Sequence, residues 1–90
     1  MPRAPSVVIM EWEPEIPRWR QVYALLEKRI YDGEYPPGER LPSALDLEKE
    51  TGVSPVTARR VLKELRDAGL AYMEPGIGTF VSRLPDRPTG

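Results

Sequence analysis

Only three residues, Gly52-Val53-Ser54, separate two segments of helical character, and so short a connection leaves few ways of arranging the helices it joins. Before it, Ser43 is a suitable cap for a helix over about residues 43–51 that stops at Gly52. After it, Ser54 caps a helix over about residues 54–68, Pro55 takes the first helical position, where a missing N–H costs nothing, and Gly69 closes it. Two helices meeting through a short glycine-bearing turn form a helix-turn-helix, and Val53 is the apolar plug that such a turn buries. In the second of these helices Ala58, Val61, Leu62 and Leu65 share one stripe, directed at a core.

The rest of the chain supplies that core. Trp19, Val22, Tyr23, Leu26 and Ile30 recur at helical spacing, with Pro17 at the start and Gly33 at the end, which predicts an earlier helix over about residues 18–32. Prolines and glycines break GEYPPGERLP, so this stretch is not helical. Leu70-Ala71-Tyr72-Met73 and Thr79-Phe80-Val81 are strand-like runs around Glu74-Pro75-Gly76-Ile77-Gly78, a hairpin. The expected fold is mainly α with a small β-hairpin: three helices plus a wing over residues 18–82. Pro2, Pro5, Pro14 and Pro17 make residues 1–17 an extended arm, whose Val7 to Ile9 and Trp12 are apolar enough to lie against the domain or a second copy. Residues 83–90 are expected to form a flexible tail.

Ninety residues make one domain with a modest core. The chain has no cysteine and no histidine, which excludes disulfides, thiolate or imidazole metal ligands, cysteine nucleophiles and His-based triads. No nucleophile, base and stabiliser come together in the sequence, so neither enzyme activity nor a cofactor or metal site is expected. The apolar run Val7-Val8-Ile9-Met10 is too short for a signal peptide, and it leads into Glu11, Glu13 and Glu15. No segment is long enough to span a bilayer, and the expectation is a soluble, cytoplasmic protein.

The net charge is −1, but its distribution is uneven. Residues 52–70 form the net-positive block, with Arg59, Arg60, Lys63 and Arg66 against Glu64 and Asp67. These cations share a face with Val56 and Thr57, away from the core stripe. A solvated helix face accounts for Arg60, four residues before Glu64, and partly for Lys63, four before Asp67. It does not account for Arg59, Lys63 and Arg66 together, which repel one another unless an anion lies opposite. Together with the element order, the pattern points to nucleic acid.

Several motifs in order carry a more specific resemblance: Tyr31-Asp32-Gly33-Glu34-Tyr35-Pro36-Pro37-Gly38-Glu39-Arg40-Leu41-Pro42-Ser43, then Gly-Val-Ser, a Thr-x-Arg-Arg helix, Asp-Ala-Gly-Leu and Pro-Gly-Ile-Gly-Thr-Phe-Val. From about Trp19 to Val81 the chain resembles the winged helix-turn-helix DNA-binding domain of GntR-family transcriptional regulators. The resemblance implies that the third helix enters the major groove, that the starts of the second and third helices meet phosphates and base edges, and that the wing tip reaches the minor groove. Carried over by position, it implies Ser43, Ser54, Val56, Thr57, Arg59 and Gly76 as contact residues and Arg60 and Lys63 as backbone contacts. It further implies double-stranded DNA as partner. With so few cations, nonspecific affinity is expected to be weak, which binding of a homodimer to an inverted repeat would offset, and repression by occupying a promoter is the simplest mechanism expected for a chain with no second domain.

The chain departs from the family pattern in three places. Relatives often carry arginine two residues beyond the position of Ser43 and again after the serine capping the third helix, where this chain has Leu45 and Pro55. Leu45 is either a core residue or an exposed apolar contact, with the core favoured, and Pro55 is a helix-start device. The wing, commonly basic, is here Met73-Glu74-Pro75-Gly76-Ile77-Gly78, and Glu74 repels phosphate. The residues after Val81 cannot fold into a ligand pocket, so no effector-binding domain is expected in this chain; it is a stand-alone reader or an excised domain. The arm carrying Val7 to Trp12 is then the expected dimer element. A winged helix used for protein contacts, with the acidic wing and the Trp12 arm as its interface, stays open as the alternative.

Overall fold

In the computed structural model, which describes residues 9–83, helix α1 (Arg18–Tyr31) is followed by α2 (Ala44–Thr51), α3 (Pro55–Asp67) and an antiparallel hairpin of β1 (Ala71–Glu74) and β2 (Gly78–Val81). The three helices plus wing are those expected, and the boundary differences are local. Asp32, Ser43, Ser54 and Ala68 are caps rather than helical residues, and Glu74 and Gly78 are paired strand residues rather than loop. No helix among the described residues is long and apolar enough to cross a membrane.

Helix α3 is the centre of the packing. Its Ala58, Val61, Leu62 and Leu65 are buried, against Val22, Leu26 and Ile30 of α1 and Leu47 of α2, with Val53 filling the turn. The reversal from α2 to α3 requires a left-handed residue, and Gly52 takes it with φ 79° while its N–H donates to Glu48 O at 2.9 Å. Leu70, Ala71 and Val81 close the core from the wing side.

The segment Gly38–Leu41 also belongs to the wing. Gly38 N donates to Val81 O and Leu41 N to Thr79 O, each at 2.8 Å, and Val81 N donates to Glu39 O at 2.9 Å, with Arg40 opposite Phe80 in an isolated bridge. This short third strand covers one edge of the hairpin and ties the loop before α2 to β2.

Among the described residues, an ion pair is enclosed between α1 and α2. Arg29 Nη1 donates to Glu50 Oε1 at 2.6 Å and to the Tyr35 hydroxyl at 3.0 Å, which joins α1, the following loop and α2. Burial works against the guanidinium charge, but its bonds to Glu50 and Tyr35 outweigh that and raise its pKa.

From Met10 onward the arm is folded onto its own domain, while Ile9, expected to lie against the domain or a second copy, is 89% exposed. Gln21 accepts from Glu13 N at 2.9 Å and donates to Glu13 O and Ile16 O, while Met10 and Trp12 pack against the core and Arg18 lies 4.8 Å from the Trp12 ring centre. Trp12 thus lies against the domain, one of the two locations expected for it. Val7 and Val8, and residues 84–90 of the expected tail, lie outside the described residues.

Helix α2 begins with a complete capping box: Ser43 Oγ accepts from Asp46 N at 3.1 Å and Asp46 Oδ2 accepts from Ser43 N at 3.0 Å. That backbone N–H, with Lys49 and Arg40 nearby, holds the Asp46 carboxyl below its usual pKa. A depressed carboxylate contributes stability that is fully present above the unfolded pKa and lost as the pH falls through the folded one. Asp46→Ala is therefore expected to cost about 0.5–1 kcal/mol at pH 7, with the gap from the parent protein closing below about pH 4; urea unfolding across that range measures it.

Candidate nucleic-acid interface

The start of α3 is built by its cap. Ser54 Oγ accepts from Thr57 N at 3.2 Å and donates to Thr57 Oγ1 at 3.1 Å, which leaves the Thr57 hydroxyl proton free for a ligand. The first helical turn also presents the Val56 amide N–H, since Pro55 has none and that of Thr57 is held by Ser54, together with the positive end of the helix dipole. Val56 stands beside them, 68% exposed, and Arg59 is exposed one turn further along.

The four cations of α3 are not equivalent. Arg60 leans toward α1, with its guanidinium 4.4 Å from the centre of the Trp19 ring and its Nε 3.6 Å from Glu64. Lys63 Nζ is 2.6 Å from Asp67 Oδ2, and this hydrogen bond and charge raise its pKa. Neither Arg59 nor Arg66 has an ion-pair partner among the described residues. Val56, Arg59, Arg60, Lys63, Glu64 and Arg66 together line a shallow open trough along the outer face of α3. The expected repulsion among Arg59, Lys63 and Arg66 is thus partly relieved by Asp67, and the unmatched charge is concentrated on the two arginines.

Ser43 and Ser54 sit at the starts of α2 and α3, and Gly76 sits at the wing tip. Gly76 occupies the third position of the turn Glu74-Pro75-Gly76-Ile77, closed by Ile77 N donating to Glu74 O at 3.0 Å, and its φ of 77° is the positive value a type II turn requires there.

Leu45 requires a correction. The core was favoured for it, but it is 57% exposed, because the short helix α2 turns Leu47, Glu50 and Thr51 inward and leaves Leu45 on the outer side of its first turn. Sequence reasoning also passed over Arg40, an exposed cation beside the wing. Its signal was available in the run Arg40-Leu41-Pro42-Ser43, which places a cation just before the cap of α2.

A family model described as "Bacterial regulatory proteins, gntR family" matches residues 19–81. The histidine utilization repressor of Pseudomonas putida is 36% identical over 89 residues, covering 97% of this chain and 36% of its own length. The transcriptional repressor NagR of Bacillus subtilis is 38% identical over 68 residues, covering 76% of this chain and 28% of its own length. The chain thus spans about a third of the length of these relatives or less. Among solved structures, the DNA-binding domain of AraR in complex with operator ORX1 superposes with a TM-score of 0.80 at 28% identity, covering 86% of this chain and 98% of that one. Motif order, three helices with a hairpin wing, and a matched stretch running through nearly all of the domain lead to one assignment: the chain belongs to the gntR family of bacterial transcriptional regulators and carries its winged helix-turn-helix domain.

Proposed function

We propose that this domain binds double-stranded DNA sequence-specifically, with two copies on an inverted repeat, and represses transcription by occupying a promoter. The observation that carries the reading is the exposed Arg59, without an ion-pair partner among the described residues, one turn from a capped helix start bearing Val56 and Thr57. In the major groove Arg59 pairs with guanine O6 and N7, Thr57 donates its free hydroxyl proton, and Val56 meets a thymine methyl. Ser43, Ser54 and the amides of the two helix starts take phosphates, which sets register without reading sequence. Arg60 and Lys63, already engaged, serve as backbone contacts at most, and the Gly76 tip approaches through its main chain. The relatives named as repressors and the operator complex of the AraR domain support the same assignment.

Selection of random duplex DNA on the pure protein, read by sequencing, tests the proposal. Recovery of an inverted repeat with half-site centres about one helical turn apart or less is the expected result. No enrichment at all would overturn it and return the domain to the protein-contact reading.

Leu45→Arg and Pro55→Arg give a second test on the same DNA. With Leu45 exposed and Ser54 still capping α3, both variants are expected to fold like the parent protein. Each added phosphate contact steepens the dependence of log affinity on log salt by about 0.9. If both variants fold normally and leave affinity and slope unchanged, the helix starts do not face DNA.

A further inference from the structure

The hairpin itself carries no cation, and its one charged side chain, Glu74, opposes DNA. The structure nevertheless brings a guanidinium to the wing from a distant part of the chain. Arg40 pairs with Phe80 through the backbone, and its side chain runs diagonally along the sheet onto Gly78, the residue two positions before Phe80 on the same face. A Cβ at Gly78 would lie 2.7 Å from Arg40 Nε and 3.3 Å from Nη2, so the missing side chain is the space the guanidinium fills. Gly78 is the register partner of Glu74, so the guanidinium lies on the sheet face that carries the wing's negative charge, one strand away from it. Arg40 also lies close enough to Asp46 to help hold that carboxylate ionised, so it stands between the start of α2 and the wing. It is exposed and has no ion-pair partner among the described residues.

We propose that Arg40 is the wing's phosphate contact: a guanidinium lent by the bridging strand, seated over Gly78, that grips the DNA backbone between the start of α2 and the wing tip. The proposal rests on the DNA-binding reading above. It answers the objection raised by an acidic wing, because an exposed cation with no ion-pair partner among the described residues then shares the wing face with Glu74. Arginine suits the place, since its planar fork can lie flat on a glycine backbone and meet phosphate oxygens with two donors at once.

The test uses the full chain and the DNA recovered by selection, with a random-sequence duplex in parallel, each titrated over a salt series. Arg40→Gln is expected to flatten the slope of log affinity against log salt by about 0.9 per bound copy, equivalent to about 3.5-fold in affinity per copy over a fourfold change in salt. The loss is expected to be the same on both DNAs, because phosphate contacts carry no sequence information. Arg40→Lys keeps the charge and is expected to keep the slope. Arg40→Thr, which suits a strand, repeats the removal should the glutamine variant melt early. An unchanged slope in a removal variant that melts like the parent protein overturns the proposal and leaves Arg40 as a structural screen for Glu74. A loss confined to the selected sequence overturns it as well, in favour of base reading. Arg59→Ala separates the two levels of the argument: if it loses the selected sequence while Arg40→Gln does not change the slope, the major-groove reading stands and the wing proposal falls. A parent protein that binds neither DNA removes both.

Discussion

Arg29→Ala is expected to cost about 3–5 kcal/mol of folding stability, because it breaks a largely buried ion pair. The side chains of Arg29 and Glu50 are only 16% and 9% exposed, so water screens the pair little. Truncating Arg29 leaves the Glu50 carboxylate enclosed without its cation and the Tyr35 hydroxyl without its donor. Small domains are stable by only about 5–15 kcal/mol, so a loss of this size removes a large part of the total. For a chain of this length, each kcal/mol corresponds to about 4–8 °C in melting temperature. Urea unfolding of the single variant and of Arg29→Met/Glu50→Leu distinguishes the cause. Recovery of most of the stability in the double variant is expected, because an apolar pair of similar volume avoids burying charge. A single variant within 1 kcal/mol of the parent protein would mean that the network is open to solvent. The pair ties α2 to α1, so it also holds in place the helix start that carries Ser43.

Arg59→Ala is expected to leave the melting curve unchanged and to abolish specific DNA binding. Its side chain is exposed and carries no ion pair among the described residues, so the fold loses nothing by its removal. A bidentate arginine–guanine contact contributes about 1–3 kcal/mol of discrimination, which makes about 2–6 kcal/mol across two half-sites. Titration against the selected duplex at fixed salt measures the loss, and unchanged affinity would remove Arg59 from the reading set. Arg60→Ala is the informative contrast. Its guanidinium lies over Trp19 and near Glu64, so truncation is expected to lower stability by about 0.5–1 kcal/mol through the lost cation–π contact, with a smaller effect on specificity than Arg59→Ala. Adjacent arginines on one helix would thereby separate a reader from a staple.

The elements themselves were legible in the sequence because their signals are local. Ser43 and Ser54 bond to amides three residues ahead, Pro55 needs nothing beyond its own turn, and Gly52 takes a backbone conformation set by its own lack of a side chain. The period of Val22, Leu26 and Ile30, and of Ala58, Val61, Leu62 and Leu65, states which face is buried without naming the partner. The ion pairs of Arg60 with Glu64 and Lys63 with Asp67 are likewise visible at four-residue spacing. Tertiary structure decided the rest, wherever a side chain's state depends on residues far away in the chain. Leu45 and Leu47 are both apolar and lie two positions apart in a helix of eight residues, too short for periodicity to say which one faces in; packing against the neighbouring helices buries Leu47 and leaves Leu45 outside. The Arg29–Glu50 pair spans 21 positions, and no local pattern shows that either charge is enclosed. Trp19 engaging Arg60 at the edge of the trough, and Arg40 settling on Gly78, depend on the approach of α1 to α3 and of the bridging strand to the wing. Hydrogen-bonded caps and helical periods act within a turn or so of the chain, whereas the partner that a charge finds is set by which elements fold against each other.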